Sequence, residues 1–144
     1  MLPEHIRTER LVLRPVTPAD ADAIAAGLAD WEVVRWLSTP PHPYTPDDAA
    51  RFVASQSDRA GRCGRIYALD DGDGLIGAIG VERRSEAMNL GYWLARRHWG
   101  LGYMTEAATA LVDAFFETRP DIMLTSGVFE GNSASLRIQE RLGF

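Results

Sequence analysis

Gly91-Tyr92-Trp93-Leu94-Ala95-Arg96-Arg97-His98-Trp99-Gly100-Leu101-Gly102-Tyr103-Met104-Thr105-Glu106-Ala107 is the stretch whose reading decides the fold. An apolar strand runs into a basic turn punctuated by glycine. The turn opens directly into a helix reading Thr105-Glu106-Ala107-Ala108-Thr109-Ala110-Leu111-Val112. Strand, Gly-x-Gly turn and helix in that order build an anion site, because free backbone N–H groups and the positive end of the helix dipole converge on one point. Glycines at 100 and 102 let the backbone approach a phosphate with no Cβ in the way. The expected ligand is phosphorylated.

Two familiar phosphate loops do not fit. A dinucleotide loop needs Gly-x-Gly-x-x-Gly, and position 105 is Thr. A P-loop needs Lys before Ser or Thr, and all 15 basic residues of this chain are Arg. What remains is Arg97-x-x-Gly100-x-Gly102. It resembles the acetyl-CoA signature Gln/Arg-x-x-Gly-x-Gly/Ala of the GNAT superfamily of N-acyltransferases. The wider run from Leu90 to Ala107 is similar to the RimJ/RimL-like branch, which acetylates N-termini of ribosomal proteins. Thr8-Glu9-Arg10-Leu11-Val12-Leu13-Arg14-Pro15, Asn132-Ser133-Ala134-Ser135 and Arg141-Leu142-Gly143-Phe144 also resemble that branch.

Composition sets the outer bounds. The 144 residues suit one domain, 1–144, with its own core, and the apolar share of 46% is ordinary for a globular protein. No apolar run approaches the roughly 20 residues that span a bilayer, and the polar start Met1-Leu2-Pro3-Glu4-His5 is no secretory signal. Cys63 stands alone, and His5, His42 and His98 lack metal-ligand spacing, so a cytoplasmic protein with no metal is expected. A net charge of −5 argues against nucleic acid as a partner and suits a cationic amine.

Periodicity gives the order of elements. A strand is expected over 9–15, then a helix started by Thr17-Pro18-Ala19-Asp20 and running to about residue 29. Residues 31–37 form a short helix or turn, Pro40-Pro41-His42-Pro43 a loop, and Thr45-Pro46-Asp47-Asp48 starts a second helix to about residue 60. Ile66–Leu69 and Leu75–Val81 make a hairpin across a Gly/Asp turn, and a strand over 88–95 follows. The helix after the glycine turn reaches about residue 118, a strand covers 122–129, and Asn132 caps a last helix closed by Gly143. The 88–95 and 122–129 strands flank a crossover helix and should run parallel.

The resemblance implies the rest. The fold is α+β, three layers α/β/α, with a mixed, mostly antiparallel sheet whose parallel strand pair splays apart around the pantetheine arm of acetyl-CoA. The family pattern continues past a Leu-Gly-Phe like that at 142–144 with further strands, whereas this sequence ends there. A homodimer is the expected cover for the sheet edge beside the 122–129 strand.

Amide formation from a thioester requires a held cofactor, a neutral amine, a stabilised oxyanion and a leaving thiolate. The cofactor-binding set is Trp93, Leu94 and Ala95 through their main chain, Arg96 and Arg97 for charge, Trp99, Gly100, Leu101, Gly102 and Tyr103 in the turn, and Asn132 toward pantetheine. Many superfamily members protonate the thiolate with a Tyr on the last helix. No Tyr occurs over 132–142, and the resemblance assigns the role to Ser135. Rim-type relatives place a Glu two residues before the Gly of Gly-Tyr-Trp; Asn89 stands there and cannot be a base, so Glu82 and Glu86, through water, are the candidates. Trp31, Tyr44 and Tyr92 are the expected substrate residues. The implied reaction is transfer of acetyl from acetyl-CoA to an acceptor amine, first a protein N-terminus. A small-molecule amine or a non-catalytic acyl-CoA-binding module is the alternative.

Overall fold

The structure, a computed structural model, describes residues 2–35, 37, 40, 43–59, 64–84, 86–119, 122–126 and 133–144. Six strands form one sheet in chain order: β1 (Ile6–Arg7), β2 (Val12–Pro15), β3 (Gly64–Asp70), β4 (Leu75–Arg84), β5 (Ala87–Leu94) and β6 (Leu124–Ser126). Neighbours are antiparallel from β1 to β5, and β6 runs parallel to β5. Between β2 and β3 come α1 (Ala21–Ala29), α2 (Trp31–Val34) and α3 (Pro46–Arg59). The crossover helix α4 (Tyr103–Thr118) joins β5 to β6, and α5 (Ser133–Arg141) follows. This is the mixed, mostly antiparallel α+β sheet with flanking helices that the sequence implies. No described helix is long and apolar enough to cross a membrane.

Each sheet face is covered by its own core. Leu13, Tyr67, Leu69, Ile79, Val81, Leu90 and Leu94 meet Met104, Ala107, Ala108, Leu111 and Phe115 of α4 on one face. Ile138 and Leu142 place α5 on that same face. On the other face Ala68 and Leu75 pack with Ile24, Ala25 and Leu28 of α1 and Ala49 and Val53 of α3. Each large apolar side chain fully withdrawn from water contributes about 1.5–3 kcal/mol. Gly27 sets how closely α1 approaches the sheet: a Cβ there would lie 2.5 Å from the Trp93 ring.

Two helix entries follow the capping chemistry of the sequence. Thr45 and Asp48 exchange bonds across the start of α3: the Thr45 N–H donates to Asp48 Oδ2 at 2.9 Å, and the Asp48 N–H to Thr45 Oγ1 at 3.2 Å. The entry to α1 begins instead with a 3-10 turn, Pro18–Asp20. There Asp20 is drawn inward to Arg14. The guanidinium donates to both Asp20 oxygens at 2.8 Å and, through Nε, to Asp70 Oδ2 at 2.9 Å. One arginine thus ties β2 to the helix entry and to the β3–β4 hairpin.

The strand expected over 9–15 is shorter because residues 8–11 form the turn of a hairpin: β1 pairs antiparallel with β2, and the Thr8 N–H donates to the Leu11 carbonyl at 2.9 Å. The Glu106 carboxylate braces that turn, accepting the Thr8 hydroxyl, the Arg10 N–H at 2.9 Å and the Arg10 Nε at 2.8 Å. β4 runs to Arg84, beyond the expected Val81. Of the strand expected over 122–129, β6 accounts for 124–126, and 127–129 lie outside the described residues, as do Trp36 and Cys63.

The Arg14–Asp20 pair yields a stability test. Burial pushes the Asp20 carboxyl up, but bonds from Arg14 and Thr17 outweigh it and hold the group below its ordinary value. A depressed carboxyl stabilises the fold above its unfolded pKa of about 3.9, and that contribution is lost as pH falls through the folded value. Asp20→Ala should cost about 3 kcal/mol in urea unfolding at pH 7. The gap from the parent protein should narrow below about pH 4; an equal gap at pH 3 and pH 7 would refute the assignment.

Candidate active site

Two features meet at the C-terminal end of β5. The first is the turn that follows it. The Ala95 N–H donates to the Ile76 carbonyl at 2.9 Å, Arg96–His98 form a 3-10 turn, and the Trp99 indole N–H donates to the Leu94 carbonyl at 2.7 Å. Gly100 and Gly102 have φ of +76° and +80°, the left-handed region where an L side chain is strained. Gly102 is the residue that caps α4. The first bond of the helix runs from the Glu106 N–H to the Gly102 carbonyl at 3.1 Å. Amides ahead of it point along the helix axis toward the turn. Space for a ligand backbone contact exists at Gly100, where an added Cβ would meet nothing within 4 Å.

Arg10 braces this turn from outside. Besides its bonds to Glu106, its Nη1 donates to the Leu101 carbonyl at 2.9 Å, and its guanidinium carbon sits 4.3 Å from the centre of the Tyr103 ring. A Cβ on Gly102 would lie 3.4 Å from Arg10 Nη2. Burial pushes the Glu106 carboxyl up, yet the bonds from Thr8 and Arg10 hold it below its ordinary value. It stays ionised near neutral pH.

The second feature lies where the described β5–β6 register ends. Met88, Asn89 and Leu90 pair with Leu124, Thr125 and Ser126, and β5 continues for four residues beyond. Side chains alternate, so Leu90, Tyr92 and Leu94 share the α4 face, whereas Asn89, Gly91 and Trp93 share the α1 face. On the α4 face the Tyr92 and Ser135 hydroxyl oxygens are 2.6 Å apart. Gln139, 6% exposed, donates to Ser126 Oγ at 2.9 Å, and Ser126 donates to the Leu90 carbonyl at 3.1 Å. Burial raises the Tyr92 phenol, and hydrogen bonds with Ser135 and Gln139 draw it partly back. On the α1 face Glu82 stands opposite Asn89, and Thr125 Oγ1 donates to Asn89 Oδ1 at 3.2 Å.

The expected residues divide by location. Leu94 is buried, Trp93 packs against α1, and the half-exposed Trp99 and Leu101 border the turn. Arg96 is engaged with Asp30, to which it donates from Nε at 2.9 Å and Nη2 at 3.0 Å, while Arg97 Nε donates to His98 Nε2 at 3.1 Å. Glu86 is exposed in the β4–β5 turn, away from the hydroxyl pair on the strand face. Trp31 is 52% exposed on α2. Tyr44 is 8% exposed and packs with Ile24, Ala49 and Val53 between α1 and α3. Tyr92, expected among the substrate residues, lies in the hydroxyl network. Asn132 lies outside the described residues.

Arg10, Glu106, Ser126 and Gln139 were not among the expected residues. Signals existed for three of them. Arg10 and Glu106 sit in separate motifs of opposite charge, and Gln139 follows Ser135 by four, one helical turn on the same face. Among the described residues no cluster of three His, Cys, Asp or Glu side chains could hold a metal ion.

Comparison with known proteins agrees with this geometry. The family described as Acetyltransferase (GNAT) domain matches residues 10–144. The uncharacterized N-acetyltransferase p20 of Bacillus licheniformis is 28% identical over 98% of this chain and 82% of its own length. An acetyltransferase structure from Agrobacterium tumefaciens str. C58 is 31% identical with a TM-score of 0.78, covering 99% of this chain and 84% of that one. The ribosomal-protein-S5-alanine acetyltransferase of Vibrio fischeri has the same fold at 19% identity, with a TM-score of 0.80 over 97% of this chain and 82% of that one.

The Glu106 contacts define a further test. Glu106→Ala leaves the Thr8 hydroxyl and two Arg10 donors without their acceptor. Urea unfolding should show a loss of about 2 kcal/mol, with faster hydrogen exchange at the Arg10 amide. Unchanged exchange there would mean that the turn does not depend on this carboxylate.

Proposed function

The chain belongs to the GNAT acetyltransferase family and is an acetyl-CoA-dependent N-acetyltransferase; on that premise we propose that its acceptor is the α-amino group of a protein N-terminus. The observation that carries the site is the meeting, at one end of β5, of the two-glycine turn opening α4 and the paired hydroxyls of Tyr92 and Ser135.

In this proposal, backbone N–H groups of residues 97–103 hold the pyrophosphate of the co-substrate acetyl-CoA. Positive φ at Gly100 and Gly102 turns the chain so that these amides face one point, and the α4 dipole adds attraction for the anion. Arg97 supplies side-chain charge, since Arg96 is engaged with Asp30. The pantetheine arm runs along the main chain of Trp93, Leu94 and Ala95, beyond the last described β5–β6 pair. The amine nitrogen attacks the thioester carbon, the carbon–sulfur bond breaks, and the leaving sulfur takes up a proton from Ser135.

The acceptor follows from acid–base arithmetic. An α-amino group has a pKa of about 8 and is partly neutral at pH 7, whereas a lysine amine, at about 10.4, needs a base to lose its proton. Asn89 cannot supply one. Glu82, directly opposite it on β4, can take the proton through water. The likeness to a ribosomal-protein-S5-alanine acetyltransferase supports the same choice at the level of fold.

Two measurements test this reading. Gly102→Val puts a β-branched residue at φ +80° and should weaken CoA binding about tenfold or more in calorimetry; undiminished affinity would remove the turn from the CoA site. Second, a peptide with a free N-terminus should be acetylated about tenfold or more faster, in kcat/KM, than the Nα-blocked peptide with one Lys or a panel of small amines and amino acids. Its rate should rise as pH approaches about 8, following the neutral α-amine. Faster turnover of a small amine would transfer the assignment to that class.

A further inference from the structure

The second hydroxyl at the candidate site is the feature that the proposed function leaves unused. We propose that Tyr92 is the positioning residue and proton source behind Ser135, the two hydroxyls and Gln139 forming a relay that ends at the leaving sulfur. This rests on the reading that places Ser135 at that sulfur.

The geometry gives the relay a direction. Tyr92 and Ser135 oxygens are 2.6 Å apart, close enough for a proton to pass between them without an intervening water. A serine hydroxyl alone is a far weaker acid than a thiol, so giving up its proton to a thiolate leaves an alkoxide of high energy. A phenol, with an ordinary pKa of about 10, is much nearer to a thiol at about 8.5. With Tyr92 behind it, Ser135 gives one proton and receives another, and the negative charge rests on the phenol oxygen. The proton count closes: sulfur gains the Ser135 proton, Ser135 gains the Tyr92 proton, and the phenolate regains one from solvent.

Burial raises the Tyr92 phenol on balance, and its hydrogen-bond partners offset part of that rise. Hydrogen bonds from Ser135 and Gln139 favour the charged form of Tyr92 against the burial that opposes it. Gln139 is buried and held in turn through Ser126 to the Leu90 carbonyl, so α5 is fixed to the last described β5–β6 pair. The described partners of the Tyr92 hydroxyl include no titratable group from β4, β6 or α4; they are the Ser135 hydroxyl, the Ser135 main-chain carbonyl, to which it also donates at 3.3 Å, and the Gln139 side chain. The Tyr92 ring packs against the α4-face core, so Tyr92→Phe removes one oxygen and keeps the apolar contacts.

The test needs no acceptor amine. CoA binding is followed by calorimetry from pH 7 to 9.5, giving the thiol pKa in the bound state, with acetyl-CoA, which has no free thiol, as the control. Hydrogen bonding to a thiolate lowers its pKa, so Tyr92→Phe should raise the bound thiol by about one unit, and Ser135→Ala by at least as much. The double variant should add little, and acetyl-CoA affinity should stay within about twofold of the parent. With a turned-over amine, kcat should fall about tenfold at constant KM. A shift in Ser135→Ala without one in Tyr92→Phe would overturn the relay and leave Ser135 in place. No shift in either would remove Ser135 from the sulfur as well. Gln139→Met, which leaves both hydroxyls, should give a smaller shift of the same sign; its absence, with Tyr92→Phe also silent, would overturn the relay independently of how well Tyr92→Phe folds.

Discussion

β5 is paired with β4 along its whole length and with β6 at Met88, Asn89 and Leu90, and its C-terminal end leads directly into the glycine turn that opens α4; the candidate site depends on that one central strand. A strand in a sheet interior normally satisfies backbone groups on both sides. Under the proposed reading, the main chain of Trp93 and Leu94 at the end of β5 meets the amide-bearing pantetheine arm as a neighbouring strand would. The crossover helix α4 starts just past the end of the same strand, so its N-terminal amides lie close to that strand end. On the proposed reading, one strand end thus aligns the arm site with the anion site.

Such an arrangement has a cost in rigidity, and three charged contacts restore it. Glu106 gathers Thr8 and Arg10 onto the first turn of α4. Asp30 caps α2 through the Glu32 N–H at 3.1 Å and also receives both forks of Arg96. Arg14 joins the sheet edge, the α1 entry and a hairpin turn. Two of these pairs are well exposed on the arginine side, so their value is less in stability than in fixing where the chain enters and leaves the glycine turn. The Arg14–Asp20 pair is the buried member and the one whose loss should register in folding.

The sequence was legible where a local pattern determines geometry. The two glycines at 100 and 102 announced a turn before a helix, and the Thr45–Asp48 spacing announced a capped start; both are present, the turn with left-handed φ at each glycine. The parallel β5–β6 pair followed from the crossover rule. What was illegible depends on contacts distant in sequence. A strand pattern over 9–15 carries no sign that its first residues form a hairpin turn braced by Glu106, nearly a hundred residues on. Tyr44 had the composition of a site wall, since it follows a proline-rich loop, but its burial is decided by α1 and α3 closing over it. Tyr92 was expected among the substrate residues, and its place beside α5 is set by strand register. Its partner Ser135 lies 43 positions away, across an entire crossover unit.

Register also separates acid from base. Alternation along β5 sends Tyr92 to the α4 face and Asn89 to the α1 face, and the antiparallel pairing puts Glu82 beside Asn89. Under the proposed reading, an amine entering on the α1 side loses its proton toward Glu82, while sulfur departs on the α4 side toward Ser135 and Tyr92. The two proton transfers then occur on opposite faces of one sheet. A carboxylate and a hydroxyl pair adjacent to each other would exchange a proton directly and short-circuit both roles. A strand's two-residue period keeps them apart without any further device, which makes the single residue between Leu90 and Tyr92, Gly91, a point of interest. It faces the α1 side, where an added Cβ would meet nothing within 4 Å. A larger side chain there would fit the fold and, under the proposed reading, obstruct the acceptor's approach. Packing makes no demand for glycine at 91, so on that reading the demand comes from the amine that must enter.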